Sequence, residues 1–137
     1  MIEVVNRQRR VSIDTEAWTN FATKALAAIG NQQASATIAF VSDNRIRQLN
    51  RQFRGVNKAT DVLSFPADGP EESNLGDIAV SVDTAATQAR ENGLQLENEI
   101  EQLILHGLLH LSGYDHETDT GEMNRLELKL RRRLGIE

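Results

Sequence analysis

The segment Leu96–Leu111 constrains the fold most strongly, because its helical pattern is apolar around most of its circumference. At about 100° per residue, one apolar stripe forms and two further leucines cover much of the opposite side. The stripe consists of Leu96, Ile100, Leu103, Ile104, Leu108 and Leu111, and the two leucines are Leu105 and Leu109. Such a helix is buried by its neighbours on most sides. The sequence therefore predicts a central helix whose polar strip faces a cleft; this strip contains Glu99, Gln102, His106 and His110.

The other segments predict a sheet for this helix to cover. Apolar, β-rich runs at 2–6, 34–41, 61–65 and 75–82 predict four strands, and residues 63–65 suggest an edge strand beside the polar strip. Capping residues predict helices that begin after Asp14, after Ser42 or Asp43, and at Asp83. A last helix is expected over about 120–134, and 66–74 reads as a loop. The order β-α-β-α-β-β-α-α-α predicts an α+β fold, a small mixed four-stranded sheet packed with about five helices.

The 137 residues are expected to form one domain, since domains usually contain roughly 100–200 residues. The lack of cysteine excludes disulfides, thiolate metal sites and a thiol nucleophile. No apolar run reaches about 18 residues, and the N-terminus lacks the pattern of a signal peptide. We therefore expect a soluble, cytoplasmic protein without a membrane partner.

The formal net charge of −5 is unevenly distributed along the chain. Residues 1–60 contain nine basic and four acidic residues, whereas residues 61–128 contain two and fifteen. A chain divided in this way can present a basic surface to nucleic acid despite its negative total charge. Solvated charges that alternate on helix surfaces are an equally ordinary explanation. Charge alone does not decide between them.

All three histidines lie within eleven residues, in the string His106-Gly-Leu-Leu-His110-Leu-Ser-Gly-Tyr-Asp-His116. On a helix, His106 and His110 share one face, with Cβ atoms about 5–6 Å apart. Gly113 can adopt the left-handed conformation that ends a helix and turns the chain toward His116. Three imidazoles with an open fourth position are typical of catalytic zinc. This clustering favours a metal site at the end of the central helix over separate, hydrogen-bonded histidines.

The histidine spacing equals that of the metzincin peptidases, with one departure. Gly107 occupies the position of the glutamate that takes a proton from zinc-bound water in those enzymes. A peptidase mechanism would lack its base here. We expect the glycine instead to leave open space beside the metal for a bulkier substrate group.

Three segments of the chain resemble the YbeY family of endoribonucleases. The histidine string matches the family's H-G-x-x-H-L-x-G-Y-D-H. Residues 49–54 and 60–66 resemble its L-N-x-x-[YF]-R and T-[DN]-V-L-S-F-P, with Phe53 where tyrosine is common, and residues 75–78 resemble L-G-D-[IL]. The segments occur in the family order, so the resemblance extends over essentially the whole chain.

The resemblance implies a metal-dependent endoribonuclease specific for single strands, which acts in rRNA maturation at the 16S rRNA 3′ end and in ribosome quality control. It implies one zinc ion on His106, His110 and His116. Its partners would be single-stranded RNA or rRNA and the ribosome or its small subunit, with no nucleotide cofactor. Imidazoles also accept Ni²⁺, Co²⁺ or Cu²⁺, so the spacing alone leaves the metal open.

Two further residues are candidates for the chemistry. Arg54 ends an arginine-bearing helix, and the resemblance singles it out; we expect its guanidinium to contact the phosphate as charge develops in the transition state. A solvated helix end is the alternative. Asp115 precedes the third histidine and is a candidate general base, a partner that orients a histidine, or a turn residue.

Other residues are interpreted more simply. Asp61 is expected to be a cap or loop anchor. Stacking of bases on Phe53 and Tyr114 is an alternative, but four Phe, one Tyr and one Trp are too few to indicate a stacking platform, so both are expected in the core. The arginines at 131–133 end a helix, where they can stabilise the helix dipole or contact RNA.

Three functions are consistent with these residues. We favour a zinc-dependent endoribonuclease. The alternatives are a metal-dependent peptidase or other hydrolase, which Gly107 disfavours, and a non-catalytic ribosome-assembly factor whose metal only holds the segment around His116.

Overall fold

A computed structural model of the chain describes residues 1–67, 73–114 and 121–136. Within these ranges the strands are β1 (Ile2–Asn6), β2 (Ser35–Val41), β3 (Val62–Pro66) and β4 (Asn74–Ser81). The helices are α1 (Thr15–Ile29), α2 (Asp43–Arg54), α3 (Val82–Asn92), α4 (Leu96–Leu111) and α5 (Glu122–Leu134). The α+β prediction, with its element order, is confirmed. The middle of the predicted 66–74 loop lies outside the described residues. None of the described helices is long and apolar enough to cross a membrane.

The sheet has the strand order β1-β2-β4-β3. Strands β1, β2 and β4 are parallel, while β3 pairs antiparallel with β4 and forms one edge, as expected. Because successive side chains of a strand face opposite sides, Ile78 and Val80 of β4 face one side and Asp77 and Ala79 face the other. These two sides belong to two separate apolar clusters.

Helix α4 covers the side of Ile78 and forms the centre of the main core. Its Ile104, Leu105 and Leu108 are fully buried, and α1, α3 and α5 pack around it. Full burial of one such side chain contributes roughly 1.5–3 kcal/mol. Neighbouring elements therefore cover the apolar surface of this helix on almost every side, which confirms the predicted central helix.

The end of α4 is set by Gly113, as predicted. Gly113 has a φ of 103°, which a residue with a side chain rarely adopts. Its N–H donates to the carbonyl of His110, and the N–H of Tyr114 donates to that of Leu109, both at 3.1 Å. This pair of bonds is a Schellman motif, and it fixes the direction in which the chain leaves the last turn beside His110.

Helices α2 and α3 begin at the same end of the sheet and are bound to each other. The Asp43 carboxylate accepts hydrogen bonds from the hydroxyls of Ser81 and Thr84, both at 2.6 Å. The Asp83 carboxylate accepts the backbone N–H of Asp43 at 2.9 Å. Ser81, not Asp83, is the N-cap of α3. The helix begins one residue before the predicted start at Asp83, and the Asp83 carboxylate binds the start of α2 instead of capping its own helix.

Candidate active site

The polar strip of α4 faces a cleft of about 390 Å³. The cleft is bounded by α3, α4, α5 and the start of β3, and its lining residues are Asp61, Val62, Gln88, Glu99, Gln102, Leu103, His106, Glu127 and Arg131. The predicted position of the strip is confirmed for Glu99, Gln102 and His106. His110, one turn further along α4, is exposed at the helix end.

His106 is held by a carboxylate from another helix. Its Nδ1 lies 3.1 Å from Oε1 of Glu127 on α5, and the side chains are 38% and 16% exposed. The hydrogen bond that His106 donates to the Glu127 carboxylate raises the pKa of His106; burial opposes this shift, and the charges of Glu127 and Asp61 add to it. In the neutral ring the carboxylate favours the proton on Nδ1, which leaves the lone pair of Nε2 to bind a metal ion.

The described histidines and their carboxylate partner fit a divalent metal. His106 and His110 are imidazoles one turn apart, and a carboxylate on Nδ1 is the usual outer partner of a metal-bound histidine. Residues 1–67, 73–114 and 121–136 contain no group of three potential metal-ligating side chains. His116 and Asp115 lie outside these ranges, so the convergence of three imidazoles stays a prediction.

Gly107 does not leave open space beside His106, so that expectation is wrong. A Cβ at this position would lie 2.9 Å from Cδ1 and 3.2 Å from Cγ2 of Ile78. The glycine therefore allows α4 to approach β4 closely. A glutamate at residue 107 would be directed into the sheet and not into the cleft. The packing thus strengthens the argument from sequence against a metzincin-like peptidase.

The start of β3 borders the cleft through Asp61. Its Oδ1 accepts the N–H of Val62 at 2.7 Å, and its backbone carbonyl accepts the N–H of Ser81 at 2.8 Å. Asp61 is thus an anchor for the strand, as predicted. It is also close enough to His106 to influence the pKa of that ring, which the sequence did not indicate.

The candidate arginines lie on two different helices. Arg54 is the exposed last residue of α2, whose apolar residues pack on the side of the sheet opposite α4. Arg131 lines the cleft with His106 and Glu127. Glu127 and Arg131 are four residues apart and so share one face of α5. That spacing is visible in the sequence, but nothing in the sequence shows that this face meets α4.

Comparison with known proteins identifies the family. Residues 3–135 match the family described as Endoribonuclease YbeY. The chain belongs to this family. A protein named Endoribonuclease YbeY from Koribacter versatilis is 43% identical over 133 residues, which covers 97% of this chain and 86% of that protein. Its namesake from Carboxydothermus hydrogenoformans is 41% identical over an alignment of 143 residues, which covers 100% and 99%.

Two further comparisons complete this assignment. An Endoribonuclease YbeY from Anaeromyxobacter is 48% identical over 115 residues, which covers 81% of this chain but only 60% of that relative's length. The fold is similar to the solution structure of a Thermotoga maritima protein, with a TM-score of 0.70 and 29% identity. That match covers 98% of this chain and 89% of the other. The family and the α+β fold are thus established by independent comparisons.

Proposed function

We propose that the protein is a metal-dependent endoribonuclease that hydrolyses single-stranded RNA at the cleft beside His106. The observation that supports this most directly is the position of the first family histidine. His106 lies in an open polar cleft, and its Nδ1 is bonded to the carboxylate of Glu127. A histidine oriented in this way is suited to bind a metal through its other nitrogen.

The residues of the chain would have three separate roles in this reaction. His106, His110 and His116 would hold one Zn²⁺, which supplies a Lewis acid for a phosphoryl oxygen and lowers the pKa of water. Glu127 fixes the ring of His106 and increases its basicity. A guanidinium can bind the scissile phosphate through two parallel hydrogen bonds. Arg54 is proposed for this role from the family motif, and Arg131 from its place in the cleft.

The biological substrate is proposed from the family alone. It would be rRNA, with cleavage at the 3′ end of 16S rRNA and a second role in ribosome quality control. The ribosome or its small subunit would then be the partner, and the cytoplasm the compartment. Asp115 remains a proposed general base or orienting residue.

The test combines metal analysis with cleavage of labelled RNA. Purified protein should contain about one zinc ion per chain, as expected for a single three-histidine site. It should cut a single strand faster than the duplex of the same sequence and leave casein intact. Removal of the metal by a chelator should abolish cleavage, and zinc should restore it.

A matched variant separates this enzyme from a contaminating nuclease and from an assembly factor. His110 is exposed, so His110→Ala should keep the wild-type melting temperature of the metal-free protein while losing zinc and cleavage. Cleavage that persists in this variant, prepared in the same way, would contradict the proposal. Unfolding of the variant would instead indicate that the metal only holds the chain together.

A further inference from the structure

The side of the sheet opposite α4 is only partly covered. Helix α2 packs mainly on β3, β4 and the start of α3, so Val5, Thr37 and Ala39 of β1 and β2 remain half-exposed. Two pockets of about 450 and 580 Å³ open along α2. Both are lined by Ala39, Leu49 and Ala79. They therefore form one continuous depression, here named the α2 groove.

One end of the α2 groove is aromatic. The ring of Phe53 contacts that of Phe65 edge to face, with centroids 5.2 Å apart, yet Phe53 is 60% exposed. The expectation that Phe53 belongs to the core is wrong, because its ring lies on the last turn of α2 and only part of it is covered by Phe65. Thr37 and Asp77 line the same end. An exposed ring beside a hydroxyl and a carboxylate offers a nucleobase a stacking partner and hydrogen-bond partners.

The other end of the α2 groove is basic. Arg7 and Arg45 line it, and both are exposed. Arg47 and Arg51 line a neighbouring pocket on α2. Two of the nine basic residues of 1–60 thus line this groove, and two more line the neighbouring pocket. A polyanion would place its phosphates at this end, since the Asp77 carboxylate repels phosphate at the other.

The edge strand β3 borders both the α2 groove and the candidate cleft. Phe65 lines the groove, and Val62, three residues earlier on the same strand, lines the cleft. Three residues of a strand span about 10 Å. A single strand of nucleic acid that passes around this edge can reach both surfaces.

We propose that the α2 groove binds a second stretch of the RNA substrate, outside the cleaved bond. A base stacks on Phe53, and neighbouring phosphates contact Arg7 and Arg45. This inference rests on the proposed function, since the occupant is the same single-stranded RNA. A duplex is excluded because its bases are already stacked on one another and cannot reach the ring.

The test measures binding of a fluorescent 2′-O-methyl RNA single strand to the zinc-loaded protein by anisotropy, with the integrity of the strand checked on a gel. Phe53→Ala should weaken binding about 5- to 100-fold, the usual effect of losing one stacked base. Phe53→Leu keeps an apolar contact with Phe65 and should bind almost as weakly. The matched control is Leu128→Ala, which truncates an exposed apolar residue on α5 and should bind like the wild type.

The arginines are tested through the salt dependence. A single-stranded contact changes the slope of log K against log salt concentration by about 0.7 per phosphate, so Arg7→Ala with Arg45→Ala should reduce the slope by about 1.4. Arg90→Ala, which removes an exposed arginine from α3, should leave the slope unchanged. Melting temperatures of all variants establish that each one is folded.

The outcomes separate this inference from the proposed function. If the groove variants bind RNA like the wild type while the wild type still cleaves, the groove is not an RNA site and only this inference fails. If the wild type neither binds nor cleaves single-stranded RNA, the proposed function fails as well. If the groove variants change the sedimentation of the protein and not its RNA binding, the groove is a protein interface and the inference is overturned.

Discussion

Replacement of Glu127 tests whether His106 is a metal ligand that another helix positions. The two side chains are partly shielded from water, and the distance between Nδ1 and Oε1 is 3.1 Å. A hydrogen bond to a charged partner contributes about 1.5–3 kcal/mol, and one between neutral groups about 0.5–1.5 kcal/mol. Because 1.4 kcal/mol corresponds to a tenfold change in an equilibrium constant, the charge of Glu127 should be visible in metal affinity.

We expect Glu127→Ala to weaken zinc binding about 10- to 100-fold, the usual loss when the outer partner of a metal-bound histidine is removed. Glu127→Gln retains an acceptor for Nδ1–H without the charge, so its loss should be about 2- to 10-fold. Competition with a fluorescent chelator measures both. Glu91→Ala, which removes an exposed carboxylate from α3, serves as the control for net charge.

A second readout does not depend on metal or activity. Nitrogen NMR of the metal-free protein reports which ring nitrogen of His106 carries the proton, and Glu127→Ala should reduce the Nδ1–H form. Should Glu127→Ala bind zinc within twofold of the wild type and leave the tautomer unchanged, Glu127 would not position the ring. If loss of the contact unfolds the alanine variant, the glutamine variant, which preserves size, still decides the question.

Three further predictions concern packing, phosphate binding and pH. Gly107→Ala should lower the free energy of unfolding by about 1–3 kcal/mol in urea titrations, because its Cβ would lie 2.9 Å from Cδ1 of Ile78; an unchanged stability would show that α4 does not pack this closely. Arg54→Ala and Arg131→Ala should each retain zinc. The variant that lacks the phosphate-contacting arginine should have a kcat lower by about 100-fold or more. Undiminished cleavage by a variant would show that the replaced arginine has no part in the mechanism. Burial and the neighbouring Glu97 raise the pKa of Glu101 from its ordinary 4.5. The folded protein therefore loses stability as the pH rises from 4.5 through the folded pKa. At pH 7, Glu101→Gln should increase the free energy of unfolding by about 0.2–0.5 kcal/mol. That gain should vanish below pH 4.5, and a gain that persists in acid would contradict the assignment.

The fold could be predicted largely because its signals are local. Asp14 and Gly30 flank α1 as cap residues in both the prediction and the structure. The bounds of α4 are the predicted ones because its apolar pattern ends where Gly113 turns the chain. Asp83 does not cap α3, because its carboxylate accepts the N–H of Asp43 on α2 and pairs with Arg10. These two partners are 40 and 73 residues away in the chain, so the local sequence does not reveal them.

The candidate site could be predicted in part, because local contacts are visible in the sequence and contacts between elements are not. His106 and His110 share a face through helix geometry alone, so their proximity required no tertiary information. Glu127 is 21 residues from His106 in the chain and reaches it only because α5 packs on α4. Phe53 continues the apolar face of α2 and contacts Phe65 of β3, but it is 60% exposed because only part of its ring is covered. Each missed assignment depended on how one element packs against another.

Gly107 shows why a shared histidine spacing does not imply shared chemistry. Residues 106 and 107 are about 100° apart around the helix, so when His106 faces the cleft, residue 107 faces whatever covers the next side. In this fold that neighbour is Ile78 of β4, which leaves no room for a carboxylate. A group that moves a proton must therefore come from elsewhere. Among the described residues, the carboxylates that line the cleft are those of Asp61, Glu99 and Glu127, each from a different element. In the proposed endoribonuclease the histidines would therefore hold the metal, and the base would come from another part of the fold.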